Sequence, residues 1–101
     1  MNVSITARKF KAHDTLKEFI KDELKSLEKY SEEIFDVDVI LSYQNVKGNI
    51  KIAELILHIP GQVLAATEET DDFKKSVSAC IEKIEKQLRK IKTKKSAARI
   101  K

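Results

Sequence analysis

One cysteine, one proline, two glycines and no tryptophan occur in the 101 residues, and each scarcity removes a class of function. Cys80 alone cannot close an internal disulfide or build a zinc cluster, which points to a reducing, cytoplasmic setting. Gly48 and Gly61 lie too far apart for a phosphate-cradling loop or a dinucleotide fingerprint, so no nucleotide cofactor is expected. The longest apolar runs, such as Leu55-Ile56-Leu57 and Val63 to Ala66, fall far short of the roughly 18–20 residues that span a membrane. The opening stretch, MNVSITARKFK, alternates polar and apolar residues and has no apolar signal core. Neither membrane insertion nor secretion by a cleaved signal is expected.

What remains is apolar and heavily charged. Hydrophobic residues make up 42% of the chain and charged ones 36%, enough for one core beneath a charged surface in a single domain. The formal net charge of +4 is unevenly spread. Residues 1–81 carry 11 Lys+Arg against 14 Asp+Glu, a net of −3, whereas residues 82–101 carry 9 against 2, a net of +7. A basic last fifth behind an acidic body implies a polyanionic partner for that end.

Hydrophobic periodicity gives the elements. Val3 and Ile5 alternate with polar residues as a short strand. Leu16, Phe19, Ile20, Leu24 and Leu27 form one helical stripe running to about Lys29, with Asp14 or Thr15 as cap and Thr15/Glu18 at capping-box spacing. Phe35 to Tyr43 is a one-faced strand, Gln44 to Asn49 a turn, and Ala53 to Ile59 a third strand ending at Pro60-Gly61. Val63 to Ala66 reads as a short fourth strand. The acidic run Glu68 to Asp72 then leads into a helix whose buried stripe is Phe73, Val77, Ile81, Ile84, Leu88 and Ile91, with Thr70 or Asp71 as cap. Beyond Lys92 the apolar period fades, so residues 1–92 are expected to form the domain and 93–101 a basic, flexible tail.

The order β-α-β-β-β-α predicts an α+β two-layer sandwich, like a double-stranded-RNA-binding domain. It requires a four-stranded mixed sheet, strand 1 parallel to strand 2, with both helices on one face. The other face would carry polar and charged groups with scattered Ile40, Ile52 and Ile56.

Catalysis needs convergent groups, and few are present. His13 and His58 have no partner at ligand spacing, Ser76 and Ser78 lack a neighbouring base, and Cys80 beside Ile81 reads as a small buried thiol. Neither an enzyme nor a small-molecule substrate or metal is expected. The cations are better organised. Lys83, Lys86 and Lys90 fall within about 60° of one another on a helix, with Arg89 beside them. Lys17, Lys21, Lys25 and Lys29, each four apart, make a second row, and two rows on one side of a sheet can border a groove for phosphates. Interleaved Glu18, Asp22 and Glu28 also allow the second row simple surface pairing.

The segments LKEFIKDELKSLEKY, VDVILS, HIPGQVLAA and DFKKSVSACIEKIEKQLRKIK resemble the ribosome hibernation-promoting factors, also called ribosome-associated inhibitors. The resemblance covers residues 1–92 in order. It implies a bacterial cytoplasmic protein that binds small-subunit rRNA in the mRNA and tRNA channel and blocks translation in stationary phase or stress. Matching basic positions are Lys83, Lys86, Lys90 and Lys92 with Arg89 added, and Lys29 from the first helix. Glu23, Ser26 and Lys74 depart from the family's usual residues there, and Lys21 and Lys25 supply nearby charge. Ending at Lys101, the chain resembles the family's short forms, which can act beside a separate small ribosome modulation factor. The alternatives are a general structured-RNA-binding module and a protein-interaction domain that uses the open sheet face.

Overall fold

Each strand has one apolar row, and burying those rows under the two helices sets the layers. The computed structural model describes the backbone of residues 2–34, 36–44 and 50–100, and the side chains of these except 31–33 and 92–100. The elements are β1 (Asn2–Ala7), α1 (Asp14–Leu24), a 3-10 helix (Lys25–Glu33), β2 (Asp36–Gln44), β3 (Ile50–Ile59), β4 (Gln62–Thr70) and α2 (Phe73–Ile100). The sheet order is β1-β2-β3-β4, with β1 parallel to β2 and the other pairs antiparallel. This is the expected α+β two-layer sandwich. Val37, Val39 and Leu41 of β2 and Ala53, Leu55, Leu57 and Ile59 of β3 are buried against Ile20 and Leu24 of α1 and Val77, Ile81, Ile84 and Leu88 of α2. Gly61, at φ 82, makes the turn into β4, a left-handed conformation that glycine adopts without Cβ strain.

Several boundaries differ from those read off the sequence. The first helix does not run to Lys29 as a single α-helix; it ends at Leu24 and continues as the 3-10 helix. Leu24, Leu27 and Tyr30, three residues apart, are all buried, while the two residues between each pair are exposed. A spacing of three fits a helix of three residues per turn, so the tighter coil keeps this stripe on the core. The Thr15/Glu18 capping box does not form, because helix α1 begins earlier. His13 precedes it in an extended conformation, and its carbonyl accepts from the N–H groups of Leu16 and Lys17 at 3.0 and 3.1 Å.

Strand β4 is longer than expected and absorbs Glu68 and Glu69. Asp72 therefore caps α2, its Oδ1 accepting from Lys74 N–H at 3.0 Å, in place of Thr70 or Asp71. The Thr70 hydroxyl instead lies 2.7 Å from Ser76 Oγ and accepts from Asp72 N–H at 3.1 Å. Helix α2 continues through Ile100 and does not stop at Lys92, since no glycine or proline follows and Lys, Arg and Ala favour the helix. Phe35 and most of the Gln44 to Asn49 turn lie outside the described residues.

Candidate nucleic-acid interface

Helix α2 has its apolar side on the sheet and its cations on the solvent side. Val77, Ile84 and Leu88 are buried, and Lys83, Lys86, Arg89 and Lys90 are exposed. At 1.5 Å rise per residue, Lys83 and Lys90 stand about 10 Å apart along the axis. Lys86, Arg89 and Lys90 have no hydrogen bond or ion pair with another side chain among the described residues. Lys83 does: its ammonium pairs with Glu68 of β4. The hydrogen bond to Glu68, and then the charge of Glu68, push the Lys83 pKa up, so the pair holds a fully charged lysine at the sheet edge. Lys75 lies three turns before Lys86 on nearly the same line of the helix and pairs with Asp71 at 3.2 Å. Its eleven-residue spacing from Lys86 was the available signal for extending the row. The Lys92 backbone belongs to α2, and its side chain lies outside the described residues.

The cations before β2 are arranged differently from the expected second row. Lys21 is exposed on α1; Lys25, exposed at its end, lies 3.5 Å from Asp22. Lys29 sits on the 3-10 helix, 3.1 Å from Glu85 of α2 and with its ammonium 5.5 Å from the Tyr30 ring centroid. In a helix of three residues per turn, positions four apart point about 120° away from each other, so Lys29 leaves the line of Lys21 and Lys25.

Nor do the two rows border one groove. On α1, Glu23 accepts a hydrogen bond from Ser78 of α2 at 2.7 Å, and the Lys74 ammonium of α2 lies 5.5 Å from the Phe19 ring. Lys21 is two residues from both Phe19 and Glu23, about 160° round the helix, and so points away from α2. On α2, Glu85 reaches Lys29 while Lys83, two residues earlier, reaches the opposite way to Glu68; Gln87 Nε2 follows Lys83 by donating to the Ala65 carbonyl of β4 at 3.4 Å. Polar and paired groups fill the helix seam, and the free cations cover the outer side of the helical layer. Glu23 is thus a structural residue of the seam.

A feature the sequence reading missed closes one end of the sheet. The Phe10 ring stacks on Phe73 at 5.1 Å and meets Tyr43 edge-on at 5.6 Å, with the Lys51 ammonium 5.5 Å from both the Tyr43 and Phe73 rings. Aromatics 33 and 63 residues from Phe10 give no local pattern by which to find them.

Cys80 is buried, and its thiol donates to the Ala53 carbonyl at 3.2 Å. Burial first, then the charge of Glu68, pushes its pKa up to about 11, the wrong direction for a nucleophile. Among the described residues no group of His, Cys, Asp and Glu is placed to hold a metal ion, and no helix is long and apolar enough to cross a membrane.

The fold and this face define a class, a small α+β domain that presents a cationic helix over a mixed sheet. A family model described as Sigma 54 modulation protein / S30EA ribosomal protein matches residues 3–96, and the chain belongs to that family. The ribosome hibernation promoting factor of Salmonella typhimurium is 30% identical over 94 residues, spanning 93% of this chain and 96% of that protein. The ribosome hibernation promotion factor of Deinococcus radiodurans is 28% identical over 91 residues; the chain spans about half of it, 48%. A solved ribosomal subunit interface protein from Coxiella burnetii superposes with a TM-score of 0.83 at 26% identity, over 92% of this chain and 99% of that one.

Proposed function

We propose that the chain is a non-enzymatic ribosome hibernation factor. It binds rRNA of the small ribosomal subunit, occupies the channel of messenger and tRNA, and blocks translation in stationary phase or stress, in the bacterial cytoplasm. The observation that carries this reading is the outer face of α2, where Lys86, Arg89 and Lys90 stand exposed with no side-chain partner among the described residues. Exposed cations at helical spacing neutralise phosphates and release counterions without reading sequence, so specificity comes from the shape of the channel that receives the domain. The names of the Salmonella and Coxiella relatives support the ribosome as the particle concerned.

In this reading Lys86, Arg89, Lys90 and Lys92 make the principal contacts, and Lys83, held by Glu68, makes a partial one. Lys21 and Lys25 lie on a separate flank and make peripheral ones, and Lys29 serves the helix seam first. Residues 1–92 act as the binding domain, 93–101 as its basic extension, and a separate ribosome modulation factor acts alongside. Competition tests it: an initiation complex assembled with messenger and initiator tRNA displaces a channel-bound factor, whereas a general RNA binder stays with the particle in proportion to its RNA.

A further inference from the structure

The sheet face opposite the helices is acidic, and no lysine or arginine among the described residues pairs with its carboxylates. Asp22, Asp71, Glu68 and Glu85, on the helices or facing them, each pair with a lysine. On the open face the alternation of the strands places Asp36 and Asp38 of β2, Glu54 of β3 and Glu69 of β4. None of these four meets a Lys or Arg among the described residues. Lys51, the one such residue in the strands described, is on the helix side beside Phe73. Asp38 lies 3.3 Å from His58, and Asp36 accepts from Asn2 Nδ2 at 3.2 Å.

Register turns the four acids into a line. Asp36 and Asp38 are two residues apart on one strand. Asp38 is opposite Ile56, so Glu54 is its diagonal neighbour; Glu54 is opposite Thr67, so Glu69 is the next diagonal. Each step is about 7–8 Å and the stripe about 23 Å long. Ile56 flanks it on one side and Ile40 and Ile52 on the other, all half-buried. An extended chain repeats its side chains on one side every 6.6–6.8 Å or so, close to the step between the acids.

We propose that this stripe is a docking site for an extended basic segment of a partner protein, with Lys or Arg at alternate positions. The cations pair with Asp36, Asp38, Glu54 and Glu69, and their aliphatic stems lie on the isoleucines. The surface repels nucleic acid, so a domain bound to RNA by α2 turns this face toward protein. The stripe itself rests on no RNA contact and is tested without one.

The test uses the full chain and a fluorescent nine-residue peptide that alternates Arg with Thr and Val, read by anisotropy. A peptide of the same composition with its arginines clustered at one end is the control. The alternating peptide binds, the clustered one binds several-fold more weakly, and D36N/D38N/E54Q/E69Q loses roughly tenfold or more in affinity. The milder pair E54Q/E69Q loses roughly threefold. Amide shifts on titration centre on Asp38, Glu54 and Ile56. Removing like charges leaves the melting temperature of the quadruple variant equal or higher, which separates a lost site from a lost fold. Equal binding by wild type and the quadruple variant overturns the proposal, as do shifts that map to the helices. Self-association of the chain that K83E/K86E/K90E abolishes also overturns it, by making a second copy the occupant.

Discussion

Substituting Glu68 by Gln tests whether Lys83 is held back from RNA by its own sheet. In the folded chain the Lys83 ammonium pairs with Glu68, with side-chain exposures of 56% and 24%. Solvent screening leaves so exposed a pair little weight in stability, so E68Q lowers Tm by a few degrees at most. The binding effect has the opposite sign. Freeing one lysine for a phosphate steepens the dependence of log Kobs on log salt by about 0.7–0.9. Lowering salt from 200 to 50 mM then gives E68Q an advantage over wild type that grows roughly threefold across that range. The assay is a salt titration of binding to purified small subunits, run for wild type, E68Q, K83Q and the double variant. With Lys83 gone, E68Q gives no steeper slope. If the steepening survives in the K83Q background, the gain comes from long-range charge and the local pairing argument is refuted.

Two further perturbations probe the scaffold. Leu27 is fully buried in the 3-10 helix, so L27A costs about 2–4 kcal/mol and lowers Tm by roughly 10–20 °C, while E28A, on the exposed side, stays within about 0.5 kcal/mol. Equal melts for the two variants would refute the period-three packing. Cys80 has a folded pKa raised from 9.0 to about 11, so its contribution to stability is full below pH 9 and is lost as pH climbs from 9 to 11. Wild type therefore loses at most about 2 kcal/mol more than C80A across that window in denaturant melts, and parallel curves for the two would contradict the assignment.

The layers were legible because the strands keep parity and the helices keep a stripe. Val37, Val39 and Leu41, or Ala53, Leu55 and Leu57, share one side whichever residue the strand ends on, so the buried face followed from alternation, and the sheet order from the helical crossover and the two tight turns. Helix α2 was equally plain, since Val77, Ile81, Ile84 and Leu88 leave one direction for Lys83, Lys86 and Lys90. The errors came where two periods compete. Leu24 and Leu27 satisfy both a 3.6- and a 3.0-residue repeat, and Tyr30 decides for the second only if it is counted as core. That single misreading kept Lys29 on a row it does not join. The supposed groove failed for a tertiary reason. Which flank of α1 meets α2 depends on contacts such as Glu23 with Ser78, 55 residues apart. The acidic stripe needed register as well, because Asp38, Glu54 and Glu69 become neighbours only once β2, β3 and β4 are aligned.

The central claim is that the outer face of α2 holds the chain on the small subunit through phosphate. Co-sedimentation with purified small subunits, for wild type and K83E/K86E/K90E across a salt series, tests it most directly. The account predicts that wild type sediments with the particle at low salt and is released as salt rises. The triple variant, with unchanged circular dichroism, stays in the supernatant. A folded triple variant that sediments like wild type, or wild-type binding indifferent to salt, would contradict it.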